Sequence, residues 1–394
     1  MSDTAGTSSI DVRALRRAEF PWADETGAVY LNCASTGPLP ERARRAIFEH
    51  LARACNPNHE FYEEHREIPA QARRRCAELI GALPDEIALG FNTTYGLNLA
   101  ATALPLERGE RVLLLDGDFP ANVYPWLNLE RRGVQVEFVA CDERGLPNQE
   151  AALDRLARGD VRVFSISAVS FSNGYRLDLD AISRECQRHG TYLVVDGIQA
   201  LGVVPIDVSA TRIDILATGG QKWLLSPQGS GFAYVRRDLI DRLDPVAVGW
   251  LGFKASQDYG DLCSYALDPL ESAARFELGS LAFASLHALN HSLSLLLELG
   301  VPSIERHVRA VQQPLIDWVA ARGDLEWVSE LSHERRSGIL AFRAPEPDRL
   351  GARLRSAGLT VSIRQGAVRV SVHAFNCREE IEKLISVLEA ALEA

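Results

Sequence analysis

Two residues in the middle of the chain have the types and spacing to do chemistry together. Asp196 closes the apolar run Thr191-Tyr192-Leu193-Val194-Val195-Asp196, and Lys222 follows twenty-six positions later. Lys222 sits between Thr218-Gly219-Gly220-Gln221 and the apolar Trp223-Leu224-Leu225, ahead of the Gly-rich Ser226-Pro227-Gln228-Gly229-Ser230-Gly231. An amine held between a glycine turn and apolar neighbours has a depressed pKa and gains nucleophilicity. The carboxyl ends of strands are where open α/β sheets bind ligands, so Asp196 is placed to face a bound ring. A lysine that condenses with an aldehyde, opposite a carboxylate that keeps a pyridine nitrogen protonated, is the pair that pyridoxal phosphate (PLP) chemistry requires. Either residue alone reads as a surface lysine or a helix-capping aspartate. The combination carries the argument.

The elements that must position this pair are legible around it. Strand patterns at 111–115, 134–139, 161–166 and 191–196 alternate with helical patterns at 121–132, 149–157 and 179–188. Such alternation predicts a mostly parallel sheet with helices on both faces. This large α/β domain is placed at residues 31–254, after an N-terminal segment, 1–30, that joins the small domain. The remainder, 255–394, reads as a smaller α+β domain. It has long helices at 281–299 and 301–322, a strand at 338–342, a helix at 348–356, a hairpin formed by 359–363 and 368–372, and a final helix at 378–392.

The stretch from Val194 to Tyr234, with its Asp-x-x-Gln and Gly-Gly-x-Lys-Trp core, closely resembles the class V aminotransferase group of fold-type-I PLP enzymes. That group includes cysteine desulfurases, isopenicillin N epimerases and kynureninases. The resemblance extends from Tyr30-Leu31-Asn32-Cys33-Ala34-Ser35-Thr36-Gly37-Pro38 to Arg369-Val370-Ser371-Val372-His373-Ala374-Phe375-Asn376. It implies that Lys222 is the Schiff-base lysine, Asp196 the pyridinium partner, and Gln199 a donor to the ring hydroxyl oxygen. Thr93 and Thr94 match the phosphate cradle. Their place ahead of a helical pattern agrees, because hydroxyls and N–H groups at a helix start attract anions; a simple threonine N-cap is the alternative. Gln221 stands where many relatives have a phosphate-contacting His. Ser280, after Gly279, matches a hydroxyl that reaches a neighbour's phosphate, which implies a homodimer with shared active sites. Arg369 matches the arginine that forks the substrate α-carboxylate, and Asn32 is the other substrate-side residue.

Departures from the relatives bear on the reaction. Phe119 occupies the position where desulfurases stack a proton-carrying His; a phenyl ring stacks but moves no proton. The segment Ser362-Ile363-Arg364-Gln365-Gly366-Ala367-Val368-Arg369 is short and lacks the reactive Cys of desulfurases. Phe171 falls where those enzymes place an Asn near the ring hydroxyl, with Ser172 or Asn173 as possible substitutes. His59 and His65 read as entrance or surface residues, and Cys377 as structural. The resemblance implies an enzyme acting on an α-amino acid, aminotransferase-like in the first instance. C–S lysis, epimerisation and a non-catalytic binding role are the alternatives.

Composition narrows the setting. The chain has 394 residues and a formal charge of −11, which argues against a protein built to grip nucleic-acid phosphates. No apolar run is long enough for a membrane span. The polar start Met1-Ser2-Asp3-Thr4-Ala5-Gly6 reads as a short disordered lead rather than a signal peptide. Seven widely spaced cysteines include no C-x-x-C pair, so neither a disulfide framework nor a zinc site is expected from them, and a cytoplasmic location is.

Overall fold

The computed structural model of the chain describes residues 10–56, 58–263 and 265–393. The expected disordered lead lies outside these residues. The described chain opens with α1 (Val12–Glu19), α2 (Trp22–Glu25), β1 (Val29–Tyr30), α3 (Glu41–Ala54) and α4 (Tyr62–Ile80). The alternating region follows: β2 (Ile87–Gly90), α5 (Thr93–Ala103), β3 (Arg111–Leu115), α6 (Tyr124–Leu127), β4 (Gln135–Val139), α7 (Gln149–Leu156), β5 (Val161–Ser167), α8 (Leu179–His189), β6 (Tyr192–Asp196), β7 (Ile215–Gly219) and β8 (Gly231–Val235). The last third holds α9 (Phe283–Leu299), α10 (Val301–Ala320), β9 (Glu326–Trp327), β10 (Ile339–Arg343), α11 (Pro347–Ser356), β11 (Leu359–Thr360), β12 (Ser362–Arg364), β13 (Ala367–Ser371) and α12 (Arg378–Leu392).

Seven strands form the central sheet in the order β2-β8-β7-β6-β5-β3-β4. The pairs from β7 to β4 are parallel, and β8 runs antiparallel to both of its neighbours. Side chains alternate across this sheet as the period of two demands. Val112, Leu114, Val194, Ile215 and Ala217 enter one buried cluster with Leu97 and Ala100 of α5. Leu113, Leu115, Leu193, Val195 and Leu216 enter the other, which continues into the C-terminal helices. Both faces are therefore covered, and the functional edge is the row of strand ends. A close approach fixes α5 over β7: a Cβ on Gly96 would lie 2.7 Å from that of Ala217.

A second sheet, β12-β13-β10-β9, is wholly antiparallel. The N-terminal segment is tied to this part of the chain. β1 pairs in parallel with β11, and Phe20 stacks near Phe375 with ring centroids 4.7 Å apart. The expected hairpin is thereby divided, because 359–360 pair with β1 and only 362–364 pair with β13. The single helix expected at 121–132 is also broken. Pro120–Asn122 and Asn128–Arg132 are 3-10 turns flanking α6. Pro125 supplies no N–H to a continuous ladder, and the Asn122 side chain donates to Asp118 and accepts from Ser165 of β5 instead. Among the described residues, no helix is long and apolar enough to cross a membrane.

Candidate active site

The ends of β3, β5, β6 and β7 meet at one place. Asp196, the last residue of β6, is almost fully buried. Its Oδ1 accepts from the Ile198 N–H at 2.9 Å, and its Oδ2 is buried with no protein partner. Burial pushes its pKa upward; the Ile198 N–H opposes, the nearby charge of Asp118 adds, and Lys222 opposes.

Lys222 follows β7 in the loop that turns the chain into β8. The chain contains only three lysines. Lys254 is exposed among Asp268 and Glu271, and Lys383 bonds the Gly27 carbonyl, which leaves Lys222 as the enclosed amine. Its Nζ lies 5.4 Å from the centroid of the Phe119 ring. Burial pulls its pKa below the ordinary lysine value. Asp196 opposes this, and the positive charges of Arg369 and Arg364 add to it.

The backbone around the lysine is held from several sides. The Gly37 N–H donates to the Gln221 carbonyl at 2.8 Å. A Cβ at Gly37 would lie 2.0 Å from the Lys222 carbonyl oxygen, so only glycine permits this approach. Leu225 adopts φ 54, a left-handed conformation that costs a branched residue about 1–2 kcal/mol. The Leu225 carbonyl accepts from Ser292 Oγ at 2.7 Å, and Ser226 N–H donates to the Gly220 carbonyl. The Trp223 indole donates to Gln199 Oε1 at 2.8 Å, while Gln199 Nε2 donates to the Ala34 carbonyl at 3.1 Å. One amide hydrogen of Gln199 is left for another acceptor. His373 Nδ1 accepts from Ala374 N–H, so its Nε2–H donates to the Trp223 carbonyl at 3.0 Å.

At the anion end, the N-cap of α5 is Asn92, whose side chain accepts from Tyr95 N–H at 2.9 Å. The threonine N-cap alternative is therefore replaced. Thr93 Oγ1 is buried without a partner, whereas Thr94 is exposed. The Gln221 side chain is also unpartnered at Oε1, packed where a Cβ on Gly219 would meet it at 2.3 Å. Ser280 is exposed just ahead of α9, and no hydrogen bond links it to the group around Lys222.

On the opposite side, Arg369 on β13 is buried. One terminal nitrogen donates to the Phe171 carbonyl at 2.6 Å and the other to Ser35 Oγ at 2.7 Å; Nε has no partner. Phe171 meets Phe119 edge-on at 5.2 Å. Asn173 is committed elsewhere, accepting from Tyr175 N–H and donating to the Gly145 carbonyl. Asn32 Oδ1 is buried and unpartnered beside β13. Arg364, at the end of β12, is exposed; it stands in the short segment without a Cys, and no local pattern singles it out.

Asp118 was likewise overlooked. Its carboxylate accepts from the Phe119 N–H, the Ser167 N–H, Ser167 Oγ and Asn122 Nδ2 at 2.5–3.0 Å. Ser167 is the register partner of Asp196. A second buried carboxylate thus sits one strand away from the first, and burial raises its pKa against those four donors.

Twelve buried side-chain polar atoms lack a hydrogen-bond partner among the described residues, and five belong to Asn32, Thr93, Asp196, Gln221 and Arg369. Buried polar groups are normally satisfied, so this concentration marks where a polar ligand belongs. An acceptor at Asp196 and a hydroxyl at Thr93 fit the ring nitrogen and the phosphate of PLP. Gln221 would turn its amide to present N–H to that phosphate.

A family model described as aminotransferase class-V matches residues 29–384. The chain belongs to the class-V aminotransferase family. As a class-V aminotransferase family member it is a PLP-dependent enzyme. It is 29% identical over 370 residues to an uncharacterized aminotransferase, YcbU, of Bacillus subtilis, with 93% of this chain and 95% of that one covered. It is 30% identical over 384 residues to isopenicillin N epimerase of Streptomyces clavuligerus, covering 92% and 94% of the two chains. Its fold is that of the apo cysteine desulfurase from Thermococcus onnurineus, with a TM-score of 0.87 at 22% identity over 98% of this chain and 99% of that one.

Proposed function

We propose that this class-V family member acts on an α-amino acid by aminotransferase-like chemistry. The observation that carries the reading is the convergence of the enclosed Lys222 amine, the half-free Asp196 carboxylate and the buried Arg369 around one set of unsatisfied polar atoms. PLP, when bound, supplies an aldehyde for the amine and a ring that accepts electrons from the substrate Cα.

The chain's own residues divide the remaining work. Arg369, positioned by Ser35 and the Phe171 carbonyl, holds the substrate α-carboxylate, with Asn32 beside it. Asp196 Oδ2 would hold the protonated pyridine nitrogen of the cofactor. Thr93, Thr94 and Gln221 would hold its phosphate, Gln199 would donate to its ring hydroxyl, and Phe119 would pack on its ring. Lys222 Nζ would take the Cα proton; burial lowers its pKa to about 8, which raises the share of unprotonated amine near neutral pH. Phe119 cannot move a proton, so the Lys222 amine would also be the group that gives it back, as transamination requires. The turn between β12 and β13 carries no cysteine, which disfavours persulfide chemistry. We further propose that two copies pair, with Ser280 serving the partner's phosphate, and that the enzyme works in the cytoplasm, in keeping with seven free cysteines.

The test is the visible spectrum of purified protein beside Lys222→Ala, alone and with a panel of amino acids. A yellow band lost in the variant, and bleached by one amino acid with release of its 2-oxo acid, is expected. Pyruvate release without bleaching would replace the reading with elimination. Loss of stereochemistry alone would replace it with epimerisation.

A further inference from the structure

Apart from the active site, one cluster gathers ligand-type side chains that the proposed reaction does not use. His50 on α3, Glu64 on α4 and His287 on α9 converge, with ligand atoms all within 4.8 Å of one another. His50 Nδ1 lies 2.6 Å from Glu64 Oε1, and His287 Nε2 contacts the same oxygen. His59 Nε2 reaches Glu64 Oε2 at 3.3 Å. The His50 and His287 rings are 4.8 Å apart, and both residues are buried. The remaining contact is Arg53, 3.5 Å from Glu64 Oε1 on a partly exposed side chain.

We propose that His50, Glu64 and His287, joined by His59, bind a divalent transition cation of the zinc type. One carboxylate flanked by Arg53 already has a counter-charge, so three imidazoles are not needed to balance it. Imidazole nitrogen with carboxylate oxygen is the donor set that zinc and its neighbours prefer. The three core ligands come from α3, α4 and α9, and α3 and α4 each pack against α9, a rigid frame of the kind a metal site needs. Zn–N distances of about 2.0 Å require ligand atoms on the order of 3.3 Å apart. The ion would therefore move the Glu64 carboxylate outward by less than an ångström from the two imidazoles and draw together the most separated ligand atoms, now up to 4.8 Å apart. Each neutral imidazole would present its lone pair where it now shares a proton with Glu64, by moving that proton to its other nitrogen. Arg53 would turn to solvent. The site's place gives it a consequence for the active site: Ser285 on α9 approaches the Gln228 carbonyl at 3.4 Å, in the loop that carries Lys222. A cation tying α3, α4 and α9 together would brace the frame beside that loop.

The experiment uses tag-free holoenzyme, stripped with a chelator and titrated with Co²⁺. One equivalent is expected to bind, with visible d–d absorption of tetrahedral intensity away from the PLP band. Zn²⁺ should displace it and raise the unfolding temperature. Glu64→Gln and His287→Ala should abolish the d–d bands. His59→Ala, at the most exposed ligand, should weaken Co²⁺ binding about tenfold or more while leaving the fold intact, so the proposal stays testable if the buried variants fail to fold. Absence of d–d bands in the wild type, or binding unchanged in His59→Ala and Glu64→Gln, would overturn it and leave a carboxylate clamped by imidazoles. These readouts do not depend on which reaction the PLP site performs.

Discussion

At Asp196 one oxygen is spent on the Ile198 N–H and the other waits for a donor. A carboxylate in that position must stay charged to hold a protonated pyridine, yet burial disfavours the charge. Asp118 bears on this balance. Its four donors favour its own anion, and that charge pushes the Asp196 pKa up, so it favours a proton shared between Asp196 and whatever Asp196 contacts. Asp118→Asn removes that charge and presents an amide to at least one donor that expects an acceptor. The expected result is a turnover number lower by about tenfold, equivalent to ~1.4 kcal/mol of barrier. The visible band should persist with its protonation shifted to lower pH, read by a pH titration of the spectrum. Unchanged turnover and an unchanged spectral titration would remove Asp118 from the machinery. The sequence made Lys222 and Asp196 legible because each stands at a local signal, a glycine turn and the end of an apolar run. Asp118 carries no such signal. Its role exists only because β3 and β5 are neighbours and Ser167 stands beside Asp196, which is information about pairing rather than about residue type.

The loop from 220 to 230 is the element on which the site depends, and its grip comes from elsewhere in the chain. His373 holds the Trp223 carbonyl, its ring stacked between those of Trp223 and Phe375. Burial pushes the His373 pKa down from 6.5 to about 4, with the Trp223 bond opposing. The folded state refuses a proton that the unfolded chain accepts between those values. This contribution to stability is therefore complete above pH 6.5 and is lost as pH falls toward 4, by about 3 kcal/mol in all. His373→Gln, which keeps a donor for Trp223, should flatten the decline of unfolding free energy between pH 7 and 4.5 relative to wild type. Equal slopes from denaturant titrations would refute the assignment. The helices and strands of this region were mostly readable from periodicity. The interrupted helix at 121–132 was readable only in part: Pro125 stands in the sequence as a helix breaker, but the commitment of the Asn122 side chain to Asp118 is a tertiary demand that a helical pattern does not carry.

At the scale of the molecule, apolar side chains stand in solvent along one part of the chain. Val246, Val248, Trp250, Tyr265, Leu267 and Leu278 are exposed, and Leu278 shares an apolar cavity of about 300 Å³ with Phe91 and Thr94. Exposed apolar surface of this kind suits an interface, and the cavity that Leu278 shares with Thr94 puts part of it beside the threonine end of the site, as the proposed pairing through Ser280 would need. Sedimentation should give twice 43.3 kDa at micromolar concentration, and Leu278→Glu should shift the protein toward monomer with loss of turnover. A fully active monomer would sink the shared site. Pairing between copies was legible only by resemblance, since no single-chain pattern shows what covers a surface. The chain's opening segment has a different reach. It is laced to the small sheet at Leu31 and Ser371 and pinned to the lysine loop at Gly37. A strap anchored at both ends converts rotation of one body into tension on the other. Any hinge movement of the small sheet that follows capture of a carboxylate by Arg369 would be transmitted along six residues to the peptide of Lys222, so that grip on the substrate and aim of the amine are geared together.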